Sequence, residues 1–383
     1  MEEVSTSRYS LRALVLYFLR LGTTGFGGPI ALVGFMNRDL VQQRGWFTNE
    51  EYVSGLAFSQ LAPGPMATQL AMYLGFLRGR VLGATLVGIA FILPSFILVV
   101  LLGALYVQYG QLTWIGSAFY GVGAAVIAII LRSSWKLTKT TLKKDITLWS
   151  IFAFSFAATV LAGTEMLWTF VAGGGVALLL SYINHGRKRK QQLNIVVLPT
   201  LLLQLNSVAE NRSFLDILFY FLKAGFVVFG SGLAIVPFLR GGVVDEYHWL
   251  TARQFIDAVA VAMITPGPVV ITVAFIGYLV HGFDGAAAAA LGVFVPVYLF
   301  VIFLAPVFEK VSENEHVKSF VRGVTAVATG AISGAILLLG KSAITDLPTT
   351  LILIGSALLL VKFKVEEPLL IALAACAGLL IKL

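Results

Sequence analysis

The chain has 383 residues, of which 58% are hydrophobic and 12% are charged, and its formal net charge is +8. Its mean hydropathy is +0.91. Soluble domains carry about 25% charged residues, so this composition excludes an ordinary soluble domain. Thirteen apolar segments without the alternation of strands predict an all-α polytopic protein embedded in a lipid bilayer.

The positive charge does not predict nucleic-acid binding, because the Lys and Arg residues lie in short loops between apolar segments, as membrane topology requires. A single cysteine excludes an intramolecular disulfide and a multi-cysteine metal site. The histidines are scattered over loops, and the sequence contains no phosphate-binding Gly-rich loop. The sequence therefore predicts neither an enzyme nor a cofactor. It points to transport driven by an ion gradient, the membrane potential or the gradient of the substrate.

The first two apolar segments are interrupted by glycine and proline. Residues 11–36 contain Phe26-Gly27-Gly28-Pro29, and residues 52–76 contain Pro63-Gly64-Pro65. Glycine lets the backbone adopt positive φ and lets a ligand approach closely, whereas proline fits the first turn of a helix. Each break is therefore expected to end one half-helix and begin another, whose N-terminus offers unpaired N–H groups and about +0.5 charge to an oxyanion.

The same breaks recur in the second half of the chain. Phe229-Gly230-Ser231-Gly232 and Pro266-Gly267-Pro268 interrupt the apolar segments 214–239 and 254–280. Breaks in membrane helices free backbone groups that lipid cannot satisfy. Their repetition is typical of transporters that bind substrate between two internal repeats.

An alignment of the chain with itself supports this duplication. Shifted by 203 residues, positions 18–65 match 221–268 without a gap, and 15 of the 48 positions are identical. The repeat predicts three regions, an N-terminal half (1–186), a cytoplasmic linker with a short apolar segment (187–213) and a C-terminal half (214–383).

The loops predict that the two halves are inverted. The loop at 132–144 carries five Lys or Arg residues and its counterpart at 341–347 carries one, whereas 107–115 carries none and its counterpart at 309–322 carries three. Because Lys and Arg mark the cytoplasmic side, the bias changes sides between the halves. A parallel repeat is the alternative. Either segment 193–209 spans the membrane or a broken segment is re-entrant, and the polar composition of 193–209 favours re-entry.

An oxyanion site near the midplane is predicted where the breaks of the two halves meet. The residues expected to bind the substrate are Gly27, Gly28, Pro29, Gln60, Pro63, Gly64, Pro65, Thr68, Gln69, Gly230, Ser231, Pro266, Gly267, Pro268 and Thr272. The alternative is that the breaks are kinks that only help packing.

Five further residues are candidates for the path of the substrate or of a coupling ion. Arg20, Lys223, Arg38 and Arg240 are expected to attract the anion or line its path. The alternatives are snorkelling for Arg20 and Lys223, and a solvated loop for Arg38 and Arg240. Asp257 precedes the second Pro-Gly-Pro by nine residues and is the acid best placed for proton coupling.

Ordered motifs in both halves resemble one known family, the chromate ion transporters. In the first half these are Phe-Gly-Gly-Pro at 26–29, Arg-Gly-Trp at 44–46, Gln-Leu-Ala-Pro-Gly-Pro-Met-Ala-Thr-Gln-Leu-Ala at 60–71 and Phe-Ile-Leu-Pro-Ser-Phe at 91–96. In the second half the resemblance rests on 229–232, Pro237, 249–251, 265–269 and 274–278. It implies a prokaryotic cytoplasmic-membrane transporter that exports chromate, confers resistance and accepts sulfate as a related anion.

One position departs from the family pattern. Leu32 stands where the resemblance leads us to expect a histidine in Gly-Gly-Pro-x-x-His, so a proton-coupling role for that histidine cannot be carried over. Uptake or exchange of sulfate or another oxyanion stays open as an alternative function. A non-transporting membrane scaffold is the alternative from another class. The sequence also leaves a homo-oligomer open.

Overall fold

A computed structural model describes residues 9–110, 112–162, 167–185, 213–227, 232, 235–308 and 314–382. This part of the chain is helical and contains no strand, which confirms the all-α class. The helices are α1 (Leu11–Thr24), α2 (Gly28–Met36), α3 (Asn49–Leu61), α4 (Met66–Tyr109), α5 (Thr113–Leu142), α6 (Ile146–Ala162), α7 (Leu167–His185), α8 (Phe214–Val227), α9 (Ile235–Arg240), α10 (Ala252–Ile264), α11 (Thr272–Leu304), α12 (Glu315–Ala343), α13 (Leu347–Leu358) and α14 (Glu367–Lys382). Three helices continue as π-helical turns, α2 over Asn37–Gln43, α9 over Gly241–Glu246 and α13 over Leu359–Phe363.

The order of the helices repeats along the chain. Helices α1 and α8 begin and end 203 residues apart, and so do α3 and α10. The limits of the predicted halves stay a prediction, because nearly all of 187–213 and the whole of segment 193–209 lie outside the described residues.

Helix α4 folds back on itself. Gly79 and Arg80 have non-helical backbone angles, and a Cβ added at Gly83 would lie 2.0 Å from the carbonyl oxygen of Gly75. In a straight helix, eight residues span about 12 Å. The chain therefore reverses at this break and forms a short limb (66–78) and a long limb (81–109).

Helix α11 reverses in the same way. Its break lies at His281 and Gly282, and a Cβ added at Gly285 would lie 2.1 Å from the carbonyl oxygen of Gly277. The short limb is 272–280 and the long limb is 283–304. The two breaks occupy equivalent positions of the repeat.

Two further hairpins precede the long limb of the first half. The Phe58 ring of α3 stacks on Tyr73 of the short limb with 5.3 Å between centroids, so α3 and the short limb are antiparallel and Pro63-Gly64-Pro65 is their tip. Tyr17 of α1 donates a hydrogen bond to Asp39 beyond α2 over 3.3 Å. The tip of this second hairpin is the Gly25–Gly28 segment. Both predicted breaks of the first half thus end one helix and begin the next, and the chain also turns back there.

The long limbs of the two halves cross in opposite directions. The hydroxyl groups of Thr85 and Tyr298 are 2.7 Å apart, and the rings of Phe96 and Phe283 are 6.2 Å apart. The two long limbs are therefore antiparallel. Helices α5 and α12, which are also equivalent in the repeat, carry a hydrogen bond between Ser134 and Ser333 (2.9 Å).

The halves also exchange neighbours at their C-terminal ends. Helix α5 of the first half packs along α13 and α14 of the second, and α12 of the second half packs along α6 and α7 of the first. Glycines allow close approach at both places. A Cβ at Gly121 would lie 2.0 Å from the carbonyl oxygen of Ala374, and one at Gly323 would lie 2.5 Å from that of Gly173.

The helices carry the apolar surface of a membrane protein. In the described part, four helical stretches are long and apolar enough to cross a membrane, namely Met66–Tyr109, Thr113–Leu142, Val269–Val307 and Glu315–Ala343. The long limb 81–109 exposes a stripe of large apolar side chains at Leu86, Ile89, Leu93, Ile97, Leu101 and Leu105. The short limb of α4 is only about 20 Å long, less than the ~30 Å of a hydrocarbon core.

Candidate anion site

The second Pro-Gly-Pro contacts the Gly25–Gly28 tip in the other half of the chain. The N–H of Gly267 donates a hydrogen bond to the Gly25 carbonyl over 2.8 Å. The hydroxyl of Ser95, on the long limb of the first half, donates to the Pro266 carbonyl over 2.7 Å and lies 3.4 Å from that of Gly22. The structure therefore brings Gly267 beside the Gly25–Gly28 tip.

This contact requires glycine at position 267. Its φ is +94°, in the region that side chains disfavour. A Cβ there would also lie only 2.0 Å from the Ser95 hydroxyl oxygen. Residue 228, the repeat equivalent of Gly25, and the candidates Gly230 and Ser231 lie outside the described residues.

On the other side of the tip, Gly27 and Gly28 begin α2. Gly27 is the N-cap, with φ of +103°, and Pro29 lies in the first turn, where a missing N–H costs nothing. Gly27 is exposed and Gly28 half-buried. The first N–H groups of α2 are thus available at the surface of the tip.

The first Pro-Gly-Pro begins the short limb of α4. Pro65 is the N-cap of the helix, and the Gln69 side-chain amide donates to the Pro63 carbonyl over 2.5 Å. Thr68 and Gln69 are fully buried, yet Thr68 Oγ1 and Gln69 Oε1 have no hydrogen-bond partner. A buried hydroxyl without a partner is costly, so Thr68 carries an unused hydrogen-bonding group beside the first Pro-Gly-Pro.

Two other predicted donors are arranged differently. The Thr272 hydroxyl donates to the Val269 carbonyl of its own helical turn over 2.8 Å. In this arrangement its proton is therefore not directed at a ligand. Gln60 is exposed at the end of α3. Pro266 and Pro268 are buried beside the tip contact.

A cavity of about 370 Å³ opens beside the hairpin of α1 and α2 and reaches Gly25. We call it the arginine vestibule; its lining is Tyr17, Arg20, Leu21, Thr24, Gly25, Phe35, Arg38, Asp39, Gln43 and Arg44. The structure thus brings Arg20 and Arg38 to one cavity and adds Arg44, which stacks over Tyr17 at 5.3 Å. Asp39 pairs with Arg38 at 2.8 Å. Three cations and one anion make the vestibule attractive to anions.

The repeat equivalents of the vestibule residues Tyr17 and Phe35 contact each other directly in the second half. The Tyr220 ring stacks on Phe238 with 5.6 Å between centroids. Arg240 lies 3.7 Å from Asp245, and the Nε and Nη1 atoms of Arg240 are buried without a hydrogen-bond partner. Lys223 is half-buried on α8. The two predicted basic residues of this half are therefore more enclosed than Arg20 and Arg38.

Asp257 is 3% exposed on α10. Its Oδ2 atom accepts a hydrogen bond of 2.6 Å from the hydroxyl of Tyr106, at the end of the first long limb. Nine residues after Asp257, the Pro266 carbonyl accepts the hydrogen bond from Ser95. Within the described residues, no group of three His, Cys, Asp or Glu side chains converges to hold a metal ion.

Sequence reasoning missed Ser95 and Tyr106 as members of this region. Ser95 follows Pro94 within a motif of the family resemblance, so it carried a signal. Nothing in the sequence linked Tyr106 to Asp257, because 151 residues separate them.

Comparison with known proteins gives the family. The sequence profile described as Chromate transporter matches residues 12–179 and 215–379. The chain belongs to the chromate transporter family. The "Chromate transport protein" of Cupriavidus metallidurans is 52% identical over 380 residues, covering 97% of this chain and 93% of that protein. The "Probable chromate transport protein" of Synechococcus elongatus is 49% identical over 378 residues, covering 97% and 96%.

A third chromate transport protein, from Pseudomonas aeruginosa, is 33% identical over 329 residues, covering 82% of this chain and 77% of its own. No solved structure matches this chain. Membership of the chromate transporter family makes this a membrane transport protein rather than an enzyme, in agreement with its apolar helices.

Proposed function

We propose that the protein is a secondary transporter that carries chromate out of the cytoplasm across the cytoplasmic membrane, and so confers chromate resistance. Two relatives that cover nearly the whole chain at 52% and 49% identity are named for chromate transport. The four helical stretches that are long and apolar enough to cross a membrane support this role.

The observation that carries the proposal is the tip contact at the base of the arginine vestibule. Gly25 lines the vestibule, and its carbonyl accepts the hydrogen bond from Gly267. Chromate is a tetrahedral dianion, for which backbone N–H groups at helix starts are suitable donors. In our proposal, Arg20 and Arg38 concentrate the anion, which then binds at the tips.

The proposed binding groups come from both Pro-Gly-Pro tips. The N–H groups at the starts of α2 and α4 and the Thr68 hydroxyl donate to the oxyanion, and Gly267 exchanges its bond to Gly25 for one to the anion. Gly64, at the Pro63–Pro65 tip, has φ of +138° and carries no side chain that would keep the anion away from the backbone of this tip. Lys223 and Arg240 take the role of Arg20 and Arg38 when the second half opens.

An inverted repeat is the proposed topology. The antiparallel crossing of the long limbs supports it, as does the swap of positive loops between the halves. The hairpins with tips at Gly25–Gly28 and Pro63–Pro65 are proposed to be re-entrant, since each of their helices is shorter than the hydrocarbon core. Asp257 is the proposed proton-coupling acid.

The test is chromate accumulation in a sensitive bacterial host with and without the protein, repeated with excess sulfate. We expect lower accumulation and better survival when the protein is present. Higher accumulation that sulfate suppresses would make it an uptake system for sulfate and contradict the direction proposed. Unchanged accumulation, together with no saturable anion flux in liposomes, would indicate a non-transporting scaffold.

A further inference from the structure

A second, larger cavity lies between the two halves of the chain, lined by α4 and α5 of the first half and by α10, α11 and the end of α14 of the second. It has a volume of about 790 Å³ and is lined by Tyr106, Val107, Gly110, Leu112, Thr113, Ile115, Gly116, Ser117, Phe119, Tyr120, Thr251, Arg253, Gln254, Asp257, Leu279 and Lys382. We call it the Asp257 cavity. The proposed function does not use this space, apart from the carboxylate of Asp257.

The two cavities lie on opposite sides of the tip contact. Along the first long limb, the contact is at Ser95, whereas the Asp257 cavity begins at Tyr106, eleven residues or about 16 Å further on. The arginine vestibule extends the other way. It follows α1 back from Gly25 to Tyr17, toward the end of α1 where Leu11 packs at Gly79.

Helix α10 spans this distance. Asp257 faces the cavity, and α10 ends at Ile264, just before the tip. Because Tyr106 pairs with Asp257 and Ser95 pairs with Pro266, α10 runs antiparallel to the end of the first long limb. Between Asp257 and the tip, α10 carries only buried apolar side chains over residues 258–263, so this stretch is closed between the cavity and the vestibule.

The mouth of the Asp257 cavity carries cations. Arg253 is exposed and donates from Nη2 to the Gly116 carbonyl over 2.9 Å. The Lys382 ammonium lies 4.8 Å from the centre of the Tyr120 ring. Tyr120 donates to Asp346, and this hydrogen bond lowers the pKa of the Asp346 carboxyl.

The acids of this region are held by phenol groups. Tyr106 donates to Asp257 and Tyr120 donates to Asp346. These hydrogen bonds leave Asp346 ionised, but in the cavity lining itself Arg253 and Lys382 are the exposed charged side chains and Asp257 is buried.

The repeat equivalents of Tyr106 and Asp257 are Phe308 and Ser54, and they have different surroundings. Phe58 lies against Tyr73 and Phe308, with centroids 5.3 and 5.2 Å away. Among the described residues, Phe308 thus packs against an aromatic ring, whereas Tyr106 lines a cavity.

We infer that the Asp257 cavity is the second mouth of the anion path, opening on the membrane face opposite to the arginine vestibule. Oxyanions reach it through Arg253 and Lys382, and the path between the mouths is closed in this structure over the apolar stretch of α10 and at the contact of Ser95, Gly25 and Gly267. The inference rests on the proposed function for the identity of its ligand, but its geometry can be tested without transport.

Accessibility of single cysteines tests the geometry. Cys376 is the one cysteine of the chain, so Cys376→Ser provides the background. Thr24→Cys reports on the vestibule, Ser117→Cys reports on the Asp257 cavity, and Leu101→Cys on the apolar stripe is the matched control. We expect a membrane-impermeant maleimide to label Ser117→Cys in intact cells, Thr24→Cys only in inside-out vesicles, and Leu101→Cys in neither. Labelling of both cavities from one face, or no labelling of Ser117→Cys from either, would overturn the inference.

A kinetic arm tests the ligand. With chromate supplied from the side of the Asp257 cavity, Arg253→Gln should raise the half-saturation concentration by roughly three- to tenfold, as loss of an attractive charge predicts. With chromate supplied from the vestibule side, only Arg38→Gln should do so. Equal effects of Arg253→Gln from both sides, or none, would contradict an anion mouth. If Ser117→Cys and Thr24→Cys are labelled from opposite faces but the protein carries no chromate, the proposed function is wrong, whereas the two cavities still open on opposite faces.

Discussion

Gly267 and Gly25, 242 residues apart in sequence, are joined by a backbone hydrogen bond of 2.8 Å between two hairpin tips. Backbone groups at membrane depth must be satisfied within the protein, and here each half satisfies a broken segment of the other. The bond is also reversible, because an oxyanion offers the Gly267 N–H an equivalent acceptor. The contact is therefore suited both to close the path and to open when the anion binds.

Thr68→Val should separate binding from stability. The Thr68 hydroxyl is buried without a partner, so its removal should leave thermal stability unchanged or slightly improved. If the hydroxyl binds the anion, the half-saturation concentration for chromate should rise about fivefold, which corresponds to one hydrogen bond of ~1 kcal/mol. Thermal unfolding in detergent and isotope exchange in proteoliposomes measure the two effects.

Thr85→Val is the matched control for that substitution. The Thr85 hydroxyl pairs with Tyr298 across the two long limbs at 2.7 Å, so this change should lower thermal stability and leave the half-saturation concentration unaltered. The same outcome for both threonines would contradict the role assigned to Thr68.

Gln69 should tolerate loss of its amide better than gain of a charge. Its amide nitrogen donates to the Pro63 carbonyl and so stabilises the backbone of the Pro63–Pro65 tip. Gln69→Leu removes that bond, which should slow chromate exchange severalfold. Gln69→Glu places a buried carboxylate against a carbonyl oxygen and next to the incoming dianion, so exchange should be lost. Faster exchange by Gln69→Glu than by Gln69→Leu would show that no anion approaches this residue.

Arg38→Gln should weaken chromate capture in a salt-dependent manner. Arg38 is exposed in the vestibule, where it acts by long-range attraction, which salt screens over about 8–10 Å. We expect a raised half-saturation concentration at low ionic strength and a smaller difference from the unsubstituted protein at high ionic strength. Lys139 is an exposed cation beside Trp135 on α5, and Lys139→Gln should leave the half-saturation concentration unchanged at both ionic strengths. An effect as large as that of Arg38→Gln would show that only the net charge of the protein matters.

The inverted topology predicts opposite sides for two equivalent positions. Leu82 and Asp284 follow the reversals of α4 and α11 and are both exposed. In the Cys376→Ser background, Asp284→Cys should react with an impermeant maleimide in intact cells, and Leu82→Cys only in inside-out vesicles. Reaction of both from the same side would establish a parallel repeat.

The sequence was sufficient for the class of fold, the duplication and the positions of the breaks. Hydropathy and composition fix these features, because lipid permits few alternatives to helices and makes breaks conspicuous. It predicted that one broken segment is re-entrant, but not that the chain turns back at both breaks of the first half, since Gly64 allows either a kink or a reversal. The reversal depends on side-chain contacts such as that between Phe58 and Tyr73, which no local pattern encodes.

The candidate site was predictable only in part. Arg20 and Arg38 share a vestibule, as residues of an anion path should. The assignment of hydrogen bonds was not predictable, because it requires three-dimensional neighbours. Thr272 donates within its own turn, whereas Thr68 has no partner, although both follow a Pro-Gly-Pro. Ser95 was overlooked because its partner lies 171 residues away.

The most direct measurement is equilibrium exchange of radiolabelled chromate by Gly267→Ala in proteoliposomes, which requires no knowledge of the coupling ion. A Cβ at residue 267 would collide with Ser95 and would strain a backbone with φ of +94°. Gly355→Ala is the control, since its Cβ would meet no atom within 4 Å. Our account predicts that Gly267→Ala reaches the membrane but exchanges chromate at least about tenfold more slowly, while Gly355→Ala stays within about twofold of the unsubstituted protein. Normal exchange by Gly267→Ala would contradict an anion path through the contact of Gly25 and Gly267.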